Sequence, residues 1–259
     1  MHGILALAAV HLARTKHEGS KSMYLSAAVS HQSQALTAFC PLLDNITDSN
    51  SVAIFAFASI VTVYSLAFPE APDCPDPRMA VDDLCQVIVF AQGLHQIFAR
   101  AADHLQDSIL KPLFQWHDLE QRLTDDACFA FEELRDAVYL HGAEYAHHSY
   151  LKTIDCIQDS LAEISGEFNA VAAATRIAIR MPSIFVTLLR NYDPLALVIL
   201  SYYCAVLHRL RHHWCLGDRG AQAAHALWFI LRDEWRHLIH WVMKDIFGPH
   251  FLTQLDRYI

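Results

Sequence analysis

Apolar residues recur along this chain three and four positions apart, the spacing that gathers them on one face of an α-helix. Segments with this spacing predict helices over 1–16, 20–39, 48–68, 79–110, 118–141, 144–164, 183–190, 194–207 and 221–247. Few segments alternate between apolar and polar residues as a half-buried strand does. The pattern therefore predicts an all-α protein, a single multi-helix, bundle-like domain over residues 1–259 with room for an apolar cavity.

Proline and small polar residues mark the predicted helix boundaries. Thr47 or Asp48 supplies a side-chain oxygen that suits the N-cap of the third helix. Residues 69–77 contain four of the nine prolines and predict the clearest loop, and Pro194 fits the first turn of a helix. No repeat or low-complexity linker divides the chain, so we predict one domain with a variable middle at residues 69–167.

Composition excludes several classes of protein. The 259 residues are 54% apolar and 18% charged, which is too apolar for an intrinsically disordered chain. Only 8 Gly and 9 Pro are present, fewer than a sandwich of many short strands uses in its turns. The seven cysteines include no C-x-x-C pair, which indicates a reduced, intracellular compartment.

Two apolar segments raise the question of a membrane. Residues 1–10 lack the basic start of a secretory signal, so we interpret them as part of a core helix. Residues 51–68 are uncharged and nearly long enough to span a bilayer, but they include Ser59 and Thr62 and follow an acidic stretch. We predict a buried helix there and no membrane span.

Two pairs of histidines lie one helical turn apart, His208 with His212 and His237 with His240. A zinc site needs three or four such ligands, and neighbouring arginines place positive charge beside the position that a cation would take. The sequence also contains none of the common nucleotide-binding, metalloprotease or serine-hydrolase motifs. We therefore predict that these histidines pack against other helices or face solvent, and that the chain holds no metal.

Two pairs of acidic residues keep an enzyme among the alternatives. They are Asp82 with Asp83 and Asp125 with Asp126, the second pair followed by further acids on the same helix face. Terpenoid cyclases hold Mg²⁺ and a diphosphate with carboxylates on helices. Acids at a helix N-terminus or on a solvated helix face are the simpler interpretation. If the chain is an enzyme, these four residues are the predicted Mg²⁺ ligands.

Large aromatic residues are concentrated in the last quarter of the chain. They either fill a core or line a cavity for a flat, apolar ligand, and core packing is the simpler of the two interpretations. The set comprises Tyr202, Tyr203, Trp214, Trp228, Phe229, Trp235 and Trp241.

Several motifs at both ends of the chain carry a resemblance to a known family. They are HGILALAAVHLA at 2–13, YLSAA, HQ and AL within 24–36, IT, IFAFAS and FP within 46–69, DPLALVIL, YY and LHRL within 193–210, and EW and IHW within 234–241. In this order they resemble the regulatory, or effector, domain of fungal binuclear zinc-cluster transcription factors, particularly the branch of the sterol-uptake regulators. The family's six-cysteine DNA-binding cluster has no counterpart in this sequence, and Trp241-Val242 stands where the family commonly has Trp-Pro.

The resemblance implies a ligand-sensing domain of a fungal transcription regulator, in the nucleus or the cytoplasm. It implies a sterol- or terpenoid-like ligand, no cofactor, and either a homodimer or a regulatory protein partner. The predicted ligand-binding residues are Phe55, Tyr203, Trp214, Gly217, Trp228, Trp235 and Trp241. Two alternatives stay open: a terpenoid cyclase-like enzyme of fungal secondary metabolism on the same helical fold, and a protein interaction module without a small-molecule ligand.

The net charge of −9 leads to a first prediction about nucleic acid. A surface of this sign repels phosphate, and the sequence offers no basic stripe. We expect no binding of duplex DNA by the purified protein in a gel-shift titration at physiological salt. Micromolar binding that weakens as salt is added would contradict this expectation.

Overall fold

The computed structural model describes residues 1–16, 18–68, 76–106, 123–163 and 170–251. Within these ranges every regular element is helical and no strand is present, which confirms the all-α prediction. The α-helices are α1 (His2–Thr15), α2 (Lys21–Phe39), α3 (Ser51–Ala67), α4 (Arg78–Gln106), α5 (Asp125–His141), α6 (His147–Glu163), α7 (Ala170–Arg180), α8 (Ser183–Arg190), α9 (Pro194–Arg209), α10 (Arg219–Ile230), α11 (Asp233–Arg236) and α12 (His240–Phe247).

The chain divides into two compact units. Unit 1 comprises Met1–Pro69 and Val89–His117, and unit 2 comprises Glu70–Ile88 and Asp118–Ile259. Helix α4 therefore contributes residues to both units. The assignment of one domain to residues 1–259 stays a prediction.

Unit 1 is built on α1, which packs against both α2 and α3. The buried residues of α1 are mostly small, as are Ala28 and Ala35 of α2, and small side chains let helix backbones approach closely. A Cβ atom added at Gly3 would overlap the Phe57 ring. The core between α3 and α4 contains larger side chains, and there Ile54, Phe55 and Ile97 pack together with Ala58.

Unit 2 is built around α9, in which every residue from Leu195 to Leu207 is buried. A helix that is apolar on all sides requires other helices around it, and α5, α6, α8, α10 and α12 pack against α9. The start of α9 is defined by Asp193, whose Oδ1 accepts hydrogen bonds from the Ala196 amide and the Tyr150 hydroxyl, both at 2.9 Å. Pro194 occupies the first turn, as predicted.

The predicted continuous helix over 221–247 is wrong. Helix α10 ends at Ile230, Leu231 and Arg232 adopt extended conformations, and the chain continues as α11, a 3₁₀ turn and α12. The break is stabilised by Arg236, whose Nε donates to the Trp228 carbonyl at 2.9 Å and thereby satisfies an acceptor at the end of α10. Leu231 is buried at the break.

Two predicted helix starts also differ from the structure. Helix α3 begins at Ser51, because the Asn50 side chain accepts from the Thr47 amide at 2.7 Å and keeps residues 47–50 in a turn. Neither Thr47 nor Asp48 is therefore its N-cap. The helix predicted from residue 118 begins at Asp125, because the Thr124 hydroxyl accepts from the Ala127 amide and caps it.

Helix α7 was absent from the sequence-based prediction, which left residues 165–182 unassigned. Other parts of the prediction lie outside the described residues. They are residues 69–75 of the predicted loop, residues 107–110 and 118–122 of two predicted helices, and the helix end at residue 164.

In the part of the chain that the structure describes, no single helix has the length and hydropathy of a membrane span. The helices α8 and α9, which meet at an angle of 106°, reach that length and hydropathy only as a bent pair.

The contact between α9 and α10 gives a prediction about stability. A Cβ atom at Gly220 would lie 2.5 Å from the Cys204 carbonyl oxygen and 2.6 Å from the His208 amide nitrogen, so Gly220→Ala forces the two helices apart. We expect a loss of about 1–3 kcal/mol in the free energy of unfolding, measured by urea denaturation.

The matched control is Gly93→Ala in α4, where an added Cβ atom meets nothing within 4 Å. This substitution improves helix propensity and should stabilise the protein by about 0.5–1 kcal/mol. Equal effects of the two substitutions would contradict the close packing of α10 on α9.

Candidate ligand-binding site

An open groove of about 470 Å³ runs along α2 in unit 1. Its walls are formed by one face of α2, the 3₁₀ turn that follows it, and α3. The lining residues are Val29, Gln32, Ser33, Leu36, Thr37, Cys40 and Tyr64. The first six fall at positions i, i+3, i+4, i+7, i+8 and i+11, so they form one stripe along the helix.

Much of the groove wall is apolar. Val29 is 52% exposed, although valine is a residue that is usually buried, and Leu36 lies one turn beyond Gln32 on the same stripe. Tyr64 is buried, and its ring lies 5.4 Å from that of Phe68. Burial raises the pKa of Tyr64 to about 12, so its phenol stays protonated and uncharged at physiological pH.

Gln32 is the buried polar residue of this stripe, whereas Ser33 and Thr37 are exposed. The Gln32 side chain is only 6% exposed, and among the described residues its Oε1 atom has no hydrogen-bond partner. By contrast, the Thr37 hydroxyl donates to the Ser33 carbonyl oxygen of its own helix at 2.9 Å. A buried amide oxygen without a donor costs about 1–3 kcal/mol, and this atom is closed to a water-sized probe, so it is not part of the open surface of the groove.

The residues that the sequence suggested for ligand binding lie elsewhere. Phe55 is in the core of unit 1, where its ring lies 5.9 Å from that of Phe98, and it does not line the groove. The other six belong to unit 2.

Trp241 and Tyr203 take part in the packing around α9. The Trp241 ring stacks on Tyr202 at 5.5 Å, and Phe131 lies 5.0 Å from Tyr202. The Tyr202 hydroxyl donates to the Leu238 carbonyl oxygen at 2.9 Å. Tyr203 is fully buried and donates to the Ala174 carbonyl oxygen at 2.9 Å. These contacts are those of a packed core.

Trp228 is enclosed by other side chains. His240 stacks on its ring at 5.7 Å, Phe251 meets it edge-on at 5.4 Å, and the Arg236 guanidinium lies 5.2 Å from the ring centre. An arginine over an indole ring makes a favourable cation–π contact.

Trp235, Trp214 and Gly217 lie nearer the surface of unit 2. Trp235 is half-buried and meets the His141 ring edge-on at 5.3 Å. Trp214 is also half-buried, 6.2 Å from the His213 ring. Gly217 has a φ of 49°, the left-handed conformation that glycine adopts without strain. The role of these residues in ligand binding stays a prediction.

The acidic residues suggested for Mg²⁺ have different surroundings. Asp82 accepts a hydrogen bond from the Tyr192 hydroxyl at 2.6 Å, and Asp126 pairs with Lys244 at 3.3 Å. Asp83 and Asp125 are exposed. Within the described ranges, no three or more His, Cys, Asp or Glu side chains are grouped to hold a metal ion.

The sequence did not predict the groove, because the predicted ligand-binding residues are mostly aromatic residues of unit 2. The sequence feature that corresponds to the groove is the spacing of Val29, Gln32 and Leu36, which lie on one face of α2. Such a stripe is equally typical of a helix packed against a neighbour, so the spacing alone does not show that this face is open.

Comparisons with protein-family models, with curated protein sequences and with solved structures return no match to this chain.

Three histidines of unit 2 have a lowered pKa, which favours their neutral form. Burial lowers the pKa of His208 below its usual value of 6.5, and the Arg211 guanidinium adds to this lowering. Burial likewise lowers the pKa of His213 and of His225. Near pH 6.5 these three side chains therefore bind fewer protons in the folded chain than in the unfolded chain.

This difference predicts that the protein loses stability in mild acid. We expect the free energy of unfolding to fall as the pH decreases from 7.5 to 5.5, and to fall less in His208→Gln, which removes one of the depressed groups. Urea denaturation at several pH values measures both. Exposed His148 of α6, replaced by Gln, is the matched control. A His208→Gln profile identical to that of the unmodified protein would contradict the assignment.

Proposed function

We propose that this chain is the ligand-sensing regulatory domain of a transcription regulator resembling the fungal zinc-cluster type. In this proposal it binds a sterol- or terpenoid-like molecule. The observation that carries it is the groove along α2, which is open, largely apolar and of the size of a small-molecule site, typically about 300–1,000 Å³.

The position of the groove agrees with the sequence resemblance. Gln32 and Leu36, which line the groove, belong to the motifs of residues 24–36 that resemble the second helix of that family. The resemblance and the groove thus concern the same helix. Tyr64, from α3, adds an uncharged wall that suits an apolar molecule.

A ligand in this groove would act by shifting the populations of two conformations. It favours whichever conformation it binds more tightly, by no more than the difference between its two affinities. A homodimer contact or a regulatory protein partner would then distinguish the two conformations. We propose that this regulator acts in the nucleus or the cytoplasm.

The proposed function predicts saturable stabilisation by apolar ligands. Farnesol and cholesterol, supplied separately at increasing concentration, should raise the Tm of the protein, because a ligand that binds only the folded state stabilises it. At 100 times the Kd the gain is about 2.7 kcal/mol. Differential scanning fluorimetry measures the shift.

A matched pair of variants locates the binding. Val29→Asp places a carboxylate in the groove wall at a 52% exposed position, whereas Met23→Asp places one at a 60% exposed position of α2 outside the groove. We expect the first to abolish the shift in Tm and the second to retain it. Absence of a shift in the unmodified protein, or an equal shift in both variants, would count against a ligand site in the groove.

A further inference from the structure

Two histidines of unit 1 have the geometry of a metal site. We propose that His2 of α1 and His31 of α2 bind a divalent transition-metal ion, such as Ni²⁺ or Zn²⁺, through their Nδ1 atoms. The ion joins the two helices. This inference goes beyond the proposed function, since neither histidine lines the groove.

The distance between the two rings is the main observation. The Nδ1 atoms of His2 and His31 lie 3.0 Å apart, and the ring centres lie 5.1 Å apart. Two nitrogen ligands at about 2.0–2.1 Å from one ion lie about 2.8–3.4 Å apart, for bond angles from about 90° to about 109°. The observed separation falls within this range, so small rotations of the side chains bring both nitrogen atoms onto one ion.

Helix packing fixes the backbones that carry the two rings. Next to His2, the buried Gly3 lies so close to Phe57 that an added Cβ atom would overlap the ring. On α2, the buried residues Ala28 and Ala35 lie one turn before and one turn after His31. Both backbones are therefore held by packing, and an ion that binds the pair has little of the chain left to order.

Exposure leaves room for the ion and for water ligands. His2 is exposed and His31 is half-buried. A four-coordinate ion takes two ligands from the imidazoles and the other two from water. Structural zinc sites use four protein ligands, so this site binds more weakly and exchanges its ion with the solution.

The charges near this pair differ from those near the histidine pairs of unit 2. Residues 1–69 contain only three basic residues, Arg14, Lys16 and Lys21. Lys21 is ten residues from His31 and Arg14 is twelve from His2, which correspond to about 15 Å and about 18 Å along a helix. Salt at about 0.1 M screens charges beyond about 10 Å. Arginines adjoin both histidine pairs of unit 2.

Binding changes the position of one proton. Between the two rings, one Nδ1 atom donates its proton to the other. An ion needs the lone pair of both Nδ1 atoms, so the donor ring must carry its proton on Nε2 instead. Both imidazoles stay neutral, and no other group takes part in the exchange.

The sequence did not indicate this pair, because the two histidines are 29 residues apart. They meet only through the packing of α1 on α2. The inference therefore departs from the prediction that the chain holds no metal, which was drawn from histidines one helical turn apart.

Carbethoxylation of histidine by diethyl pyrocarbonate, read by peptide mass spectrometry, tests the site. We would measure the rate at each histidine of the folded protein at pH 7.5 with increasing NiCl₂, ZnCl₂ or MgCl₂. Imidazole binds Ni²⁺ and Zn²⁺, whereas Mg²⁺ prefers oxygen ligands. We expect the first two ions to protect His2 and His31 with one common Kd, and Mg²⁺ to protect neither. Exposed His95 of α4 is the internal control and should keep its rate.

Three variants test whether the two rings share one ion. His31→Gln should raise the Kd for protection of His2 by about tenfold or more, because a direct ligand matters at least as much as the groups behind it. His2→Gln should have the same effect on protection of His31. His95→Gln should leave both unchanged. Far-ultraviolet circular dichroism verifies that the variants are folded.

Several results would overturn the proposal. They are the absence of protection, different Kd values for His2 and His31, equal protection of His95, and protection of His2 that persists in His31→Gln. The two rings would then form a hydrogen bond and no metal site.

Discussion

The enclosure of α9 is the constraint on which unit 2 depends. Thirteen consecutive residues of this helix, Leu195 to Leu207, are buried, so neighbouring helices must cover every side of it. The tyrosine hydroxyls within it find partners outside the helix: Tyr202 and Tyr203 donate to carbonyl oxygens of surrounding segments. Asp193 ties the start of the helix to Tyr150 of α6. The arrangement of α5, α6, α8, α10 and α12 follows from the need to bury this one helix.

The fold class could be predicted from the sequence because helical periodicity and the scarcity of turn-forming residues are properties of local sequence. The first turn of α9 was predictable for the same reason, since Pro194 acts on its own backbone. The break after Ile230 was not predictable, because it depends on the Arg236 side chain reaching back to the Trp228 carbonyl oxygen. The start of α3 likewise depends on how the Asn50 side chain folds back onto the Thr47 amide. Helix boundaries of this kind depend on which side chain bonds to which backbone group, and the residue types alone do not determine that choice.

The candidate site shows the same limit when functional residues, and not helix boundaries, are predicted from the sequence. Aromatic residues suit both a core and a ligand cavity, and sequence alone does not separate the two roles. Trp228 and Tyr203 have the surroundings of core residues, each engaged by neighbouring side chains or backbone. Gln32, by contrast, is recognisable as a buried amide whose oxygen lacks a donor only from the structure. Burial of that side chain depends on how α2 packs within unit 1.

Helix α2 both packs within unit 1 and lines the groove, and these two roles limit how its sequence can vary. Ala28 and Ala35 are buried small residues, while Val29, Gln32 and Leu36 line the groove. Each residue of an α-helix is rotated by about 100° from the one before it. Inserting or deleting one residue inside α2 would therefore rotate all the helix residues that follow by that angle. Residues that now pack in the core would then face the groove, and residues that line the groove would face the core. Over evolutionary time this helix can accept substitutions at the positions that line the groove, but its length between Ala28 and Leu36 is fixed.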